Sequence, residues 1–119
     1  MTDESVIRVF LSIDFRRRLR TLAKRYRSIR SDLQPVIEQL KTGDIVGDQI
    51  AGTDYSVFKV RIKNSDVKKG KSAGYRLVYQ LRDRTYILLV LLYSKSDQQD
   101  VTAEEINRAI AEFEQSDEP

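Results

Sequence analysis

The sequence contains no cysteine, no histidine and no tryptophan. Without cysteine there are no disulfides and no thiolate metal sites, and nothing ties the chain to an oxidising compartment. Without histidine the commonest metal ligand is gone, along with the one side chain that titrates unperturbed near neutral pH. Catalysis must then rest on carboxylates, Tyr, Lys, Arg, Ser or Thr, and no metal or cofactor is expected. Long apolar runs are missing too. The longest, Ile87-Leu88-Leu89-Val90-Leu91-Leu92, falls far short of the roughly 20 residues that span a membrane. Met1-Thr2-Asp3-Glu4-Ser5 is polar and acidic, with no apolar stretch behind it, so no export signal is expected. The expectation is a single cytoplasmic domain over residues 1–119, large enough to bury a core without staples.

What is abundant is charge, and it is unevenly placed. The formal net charge is +3. Residues 8–30 hold nine Lys/Arg against Asp14, a net of +8, and residues 55–95 hold ten against Asp66 and Asp83, again +8. Residues 97–119 hold eight Asp/Glu against Arg108, a net of −7. Two basic blocks and an acidic tail suit a body that binds a polyanion. Charge runs are also often no more than a solvated face.

Hydrophobic periodicity divides the chain into seven elements. Residues 5–11 read as a strand. Asp14 is placed to cap a helix whose apolar stripe is Phe15, Leu19, Leu22, Ala23 and Tyr26. A second helix is expected from near Ser31, with Ser31 and Gln34 as a capping box, Pro35 in the first turn, and a stop at Gly43. Residues 43–54 read as a loop. Residues 55–63 alternate, with Ser56, Phe58, Val60 and Ile62 on one face and Val57, Lys59, Arg61 and Lys63 on the other. A polar loop over 64–73 carries Lys68, Lys69 and Lys71. A strand over 74–82 sets Tyr75, Leu77, Tyr79 and Leu81 against Arg76, Val78 and Gln80, and Asp83-Arg84 turns it back. Residues 85–93 are apolar on both faces, as in a central strand. Thr102 and Glu105 form a capping box inside a Val101/Ile106 staple, and Ile106, Ala109, Ile110 and Phe113 stripe the last helix. The order β-α-α-β-β-β-α predicts an α+β fold. It comprises a small antiparallel-rich four-stranded sheet with helices on a face, an N-terminal helical hairpin and a C-terminal helix.

The most informative feature is where the cations fall. Lys59, Arg61 and Lys63 share a strand face, Lys71 leads into the strand carrying Arg76, and Tyr93 and Lys95 sit at the exit of the central strand. If these strands are adjacent, the groups converge on one surface. A cationic sheet with a phenol nearby fits single-stranded RNA through phosphate contacts and stacking. It can also cut RNA. The 2′-hydroxyl attacks its own phosphate, Arg and Lys stabilise the growing charge, and a Tyr or Lys with its pKa lowered by neighbouring cations moves protons. Each residue has a plainer role as well. Lys59 and Lys63 can keep an open sheet face solvated, and Arg61 and Arg76 can pair with aspartates. Tyr75, Tyr79 and Tyr86 suit the core or its rim. The exposed cations of the first helix, among them Arg16, Arg17, Arg20 and Lys24, are either a solvated face or a contact for ribosomal RNA.

Phe58-Lys59-Val60-Arg61-Ile62, followed by Gly70-Lys71-Ser72-Ala73-Gly74-Tyr75-Arg76-Leu77-Val78-Tyr79, resembles the core of the RelE superfamily of toxin–antitoxin toxins. Leu92-Tyr93-Ser94-Lys95-Ser96-Asp97, running on to Thr102-Ala103-Glu104-Glu105-Ile106, resembles its HigB-like branch. With the helical hairpin, the resemblance covers nearly the whole chain. It implies a type II toxin: a ribosome-dependent mRNA endonuclease that inhibits translation and is neutralised by a cognate antitoxin. By position, Lys59, Arg61 and Arg76 match cationic active-site positions of RelE proper, and Lys95 falls near a further basic one. Lys71 and Tyr93 match the HigB-like pattern. The catalytic set that this implies is Arg61, Lys71, Arg76, Tyr93 and Lys95, with Lys59, Lys63, Lys68 and Lys69 on RNA. RelE proper has a catalytic Tyr where this chain has residues near Thr102, so proton transfer is unassigned and Tyr93 is the candidate. The loop over 64–73 is longer than in RelE proper, as suits a clamp on RNA or an antitoxin contact.

Two other functions share this outline. A ParE-type toxin has the fold but inhibits DNA gyrase without cutting RNA, and generally lacks the basic cluster. A plain RNA-binding module would hold RNA and leave it intact. Fold alone does not choose among them.

Overall fold

The computed structural model describes residues 7–67 and 74–116. Strand β1 (Arg8–Leu11) is followed by helices α1 (Ile13–Arg25) and α2 (Ile29–Lys41). A two-residue strand β2 (Asp48–Gln49) precedes β3 (Val57–Ile62), β4 (Tyr75–Asp83) and β5 (Tyr86–Ser94), and α3 (Ala103–Ser116) closes the order. The strands form one sheet in the order β1-β5-β4-β3-β2. β3, β4 and β5 are the expected antiparallel meander, and β1 runs parallel to β5. The fold is α+β as the sequence predicts, with five strands where four are expected. The extra strand arises inside the 43–54 loop. Gly47 has φ +88° and lies so close to the Lys59 backbone that a Cβ has no room, which lets Asp48 and Gln49 pair with Lys59 and Phe58.

Helices cover both faces of the sheet, which corrects the expectation of one covered face. On one side Phe15, Leu22, Ile29, Leu33 and Leu40 of α1 and α2 pack against Ile62, Tyr75, Leu77, Tyr79, Ile87, Leu89 and Leu92. On the other, Ile106, Ala109, Ile110 and Phe113 of α3 pack against Val57, Val78, Leu88, Val90 and Leu91. β5 lies between β4 and β1 and is apolar on both faces because each meets helix. Tyr75 and Tyr79 are fully buried and Tyr86 is half-buried against α3, so these rings are core and rim as expected.

The helix starts differ in detail. α1 is capped by Ser12, whose hydroxyl accepts from the Phe15 N–H at 2.9 Å; Asp14 lies within the first turn and accepts from Arg17 and Arg18. α2 begins at Ile29, two residues before Ser31. Ser31 Oγ donates back to the Ser28 carbonyl and Gln34 donates to Glu38, so the two do not form a capping box, and Pro35 lies beyond the first turn. Before α3 the capping box is formed as expected. The Glu105 N–H reaches Thr102 Oγ1 at 3.0 Å, and Glu105 Oε1 takes the Thr102 N–H at 2.9 Å. The turn after β4 is Arg84-Thr85, with Asp83 Oδ1 accepting the Thr85 N–H and hydroxyl.

One irregularity sets the chemistry. The β4–β5 register slips between Val78 and Tyr79, whose partners are Leu91 and Leu89, so Val90 bulges. Val90 and Leu91 both face α3, and alternation resumes one residue late. Leu92 then falls on the α1/α2 side and Tyr93 on the α3 side. The Val90 carbonyl is taken by the Ser12 hydroxyl at 2.7 Å. Ser12 is buried, so Ser12→Ala loses a helix cap and strands that carbonyl at once. We expect a cost of about 2 kcal/mol. Chemical denaturation should show a lower midpoint with an unchanged slope; an unchanged midpoint would remove Ser12 from this role.

Candidate functional site

α3 covers only part of the sheet face it packs on. The rest is held by the polar residues of β3, β4 and β5. The register places Arg61 opposite Arg76 and Arg76 opposite Tyr93, one residue from each of three adjacent strands. Lys59 lies two residues before Arg61 on the same face, in the row of Val78 and Leu91. Arg61, Arg76, Tyr93 and Lys59 are therefore brought together, as the adjacent-strand argument requires.

Their environments differ. Arg76 is buried at 5% exposure, and its Nη1 donates to the Tyr75 carbonyl at 3.2 Å. Arg61 is exposed and, among the described residues, its guanidinium makes no hydrogen bond or ion pair. Two facing cations destabilise a strand pair unless something negative lies nearby. Lys59 Nζ pairs with Asp100 Oδ1 at 2.9 Å. The same oxygen accepts from the Tyr93 hydroxyl at 3.3 Å and from the Val101 N–H at 2.8 Å. The hydrogen bond from Lys59 holds the Asp100 carboxyl below its ordinary value, against the opposing effect of burial. Tyr93 moves the other way. Burial pushes its phenol up to about 12, with Asp100's charge and hydrogen bond adding to the rise and Arg76 opposing it. The expected depressed pKa is thus corrected for Tyr93. At neutral pH it is a phenol, able to donate a proton and unable to act as a phenolate base.

Lys63 is exposed just past the end of β3. Lys95 Nζ folds onto the Gln99 carbonyl at 2.6 Å, bracing the segment that carries Asp100. Lys68, Lys69 and Lys71 lie outside the described residues. The chain entering that stretch is tied to the helical hairpin. Asp66 accepts from the Ser28 N–H and hydroxyl at 2.9 and 3.0 Å, and Asp32 accepts from the Ser65 N–H at 2.9 Å. On α1, Arg16, Arg17, Arg20 and Lys24 are exposed, with Arg17 3.4 Å from Asp14. Arg18 and Arg25 instead hold the post-β5 segment, through Gln98 at 3.3 Å and Asp97 at 3.0 Å.

Asp100 is the residue that sequence reasoning missed. It belongs to the acidic C-terminal block, which reads as a tail. Its one signal is its place, two residues before the Thr102 capping box and hence at the mouth of α3.

Fold and site together define a small α+β protein with Lys59, Arg61, Arg76 and Tyr93 gathered on one face of its sheet. The family model for the RelE toxin of the RelE/RelB toxin–antitoxin system matches residues 7–115. The chain belongs to the RelE toxin family. It is the toxin of a toxin–antitoxin system, and its partner is an antitoxin. No individual curated protein matches it. Among the described residues, no helix is long and apolar enough to cross a membrane.

Proposed function

We propose that this toxin is an endoribonuclease that cuts mRNA on the ribosome, in the manner of the HigB-like branch, and so acts in the cytoplasm. The observation that carries this is the row Arg61–Arg76–Tyr93 on adjacent strands, with Lys59 beside it. RNA supplies its own nucleophile. The 2′-oxygen attacks the adjacent phosphorus, the bond to the 5′-oxygen breaks, and the products carry a 2′,3′-cyclic phosphate and a 5′-hydroxyl. Negative charge grows on the non-bridging oxygens, where two guanidinium groups can meet it in paired hydrogen bonds. Tyr93, protonated at neutral pH, suits donation to the leaving 5′-oxygen. Attack also requires the 2′-proton to pass to a base.

Lys59 and Lys63 serve as phosphate contacts in this reading, as do Lys68 and Lys69, and Lys71 belongs to the catalytic set. Lys95 acts by holding the 95–100 segment. The exposed α1 cations Arg16, Arg17, Arg20 and Lys24 suit ribosomal RNA. The antitoxin neutralises by laying an acidic or amphipathic segment over the cationic face.

Inducing the toxin without antitoxin and mapping mRNA ends tests the reading. Growth arrest with translation-dependent cuts inside coding regions is expected. Arrest with intact mRNA and DNA damage would point to gyrase inhibition, and RNA bound but uncut would point to a binding module.

A further inference from the structure

Tyr93 is only 2% exposed, and its hydroxyl donates to Asp100 at 3.3 Å. One carboxylate oxygen takes the Lys59 ammonium from β3 and the Tyr93 hydroxyl from β5, so it bridges the gap between the outer strands of the meander. The Asp100 side chain is itself 62% exposed, and Lys59 is 30% exposed. An anion held at the surface by two site residues stands where an incoming phosphate must go.

We infer that Asp100 is a built-in counter-ion occupying the phosphate position of the site, and that RNA enters by displacing its carboxylate from Lys59 and Tyr93. This rests on the RNA-cutting reading above and adds how the site opens. Displacement is easy for three reasons. An exposed ion pair contributes little to stability. The carboxylate can leave by side-chain rotation, with the backbone still braced by Lys95 on the Gln99 carbonyl and by Gln98 Nε2 on the Asp100 carbonyl at 3.0 Å. A phosphate oxygen replaces it with charge-assisted hydrogen bonds of the same kind. Until then Lys59 is neutralised and the Tyr93 hydroxyl is engaged. A displaced Asp100 also stops holding the Tyr93 hydrogen through its hydroxyl bond, which frees that proton to be directed at the substrate.

The exchange has a signature that a merely structural aspartate lacks. Each RNA phosphate that a lysine neutralises releases condensed cations from the RNA and adds about 0.7 to the slope of log affinity against log salt on a single strand. When Lys59 takes a phosphate here it frees the Asp100 carboxylate beside it, so the local negative charge is kept and nothing is added. Asp100→Asn keeps the acceptor for the Val101 N–H and removes the charge. The probe is a 2′-O-methyl RNA oligonucleotide, which has no attacking hydroxyl and is not cut. We expect Asp100→Asn to bind it roughly threefold more tightly at low salt, the scale of a surface ion pair, and with a slope steeper by about 0.7. Lys59→Gln should weaken binding more in the Asp100→Asn background than in the wild type. Equal or weaker binding with an unchanged slope, the circular dichroism spectrum being native, overturns the inference while the RNA face stands. Failure of wild type and variant alike to bind the oligonucleotide overturns the RNA face and the exchange together.

Discussion

Arg76→Ala is expected to leave a folded protein whose mRNA cleavage falls by roughly 10²–10³-fold, the usual loss when one preorganised donor to developing charge is removed. Arg76 is the middle of the Arg61–Arg76–Tyr93 row and the most buried of its cations. Its charge therefore acts where water screens least. Folding should survive for a physical reason. Arg76 faces Arg61 directly across β3 and β4, and like charges opposite one another in a sheet are destabilising. Losing one of them relieves that repulsion, offsetting part of the lost packing of the arginine stem. Arg76→Lys keeps the charge and loses the planar fork, and should retain part of the activity. End-mapping of mRNA with growth curves provides the readout. An Arg76→Ala protein that still arrests growth fully would place the reacting phosphate elsewhere.

Phe113→Ala is expected to act on stability instead. Phe113 is 1% exposed in the core between α3 and the sheet, with its ring 6.3 Å from that of Phe10 and 5.9 Å from the Arg82 guanidinium. Truncating such a ring costs about 3–5 kcal/mol, which for a domain of this size lowers Tm by roughly 10 °C or more. α3 also fixes the segment carrying Asp100, through the capping box at its start, so partial undocking loosens the mouth of the site as well. Calorimetry against wild type checks the value. A change under 1 kcal/mol would mean that α3 does not bury this ring against the sheet. The two variants separate chemistry from architecture: Arg76→Ala should lose cleavage with little change in melting point, and Phe113→Ala should lose melting point with a far smaller change in cleavage.

Much of the fold is legible in periodicity. The alternation of residues 55–63, the two-faced apolar run before Tyr93 and the Thr102/Glu105 box all correspond to elements of the structure. The face on which α3 packs is not legible, because an apolar strand such as β5 accepts a helix on either side. Val57 held the clue, being apolar on the otherwise cationic face of β3, and it lies beneath α3. β2 has two residues and no pattern to detect. It depends on the close approach at Gly47.

The site was legible in its cations and less so in its phenol. Counting by twos from Tyr86 along β5 puts Tyr93 on the α1/α2 side, away from Arg76. The Val90 bulge reverses this, and a bulge depends on partners distant in sequence, here Ser12 and the β4 register. The direction of the Tyr93 shift was hidden for a related reason. The neighbouring cations are visible in the sequence, but burial and Asp100 outweigh them, and both come from tertiary structure.

The chemistry of the cut ends tests most directly whether this face cleaves RNA by attack of the RNA's own 2′-hydroxyl. Purified toxin added to translating ribosomes should yield fragments with a 2′,3′-cyclic phosphate at one end and a 5′-hydroxyl at the other. Fragments ending in a 3′-hydroxyl and a 5′-phosphate would contradict it, because water would then be the nucleophile, and the roles given to Arg61, Arg76 and Tyr93 would fall with it.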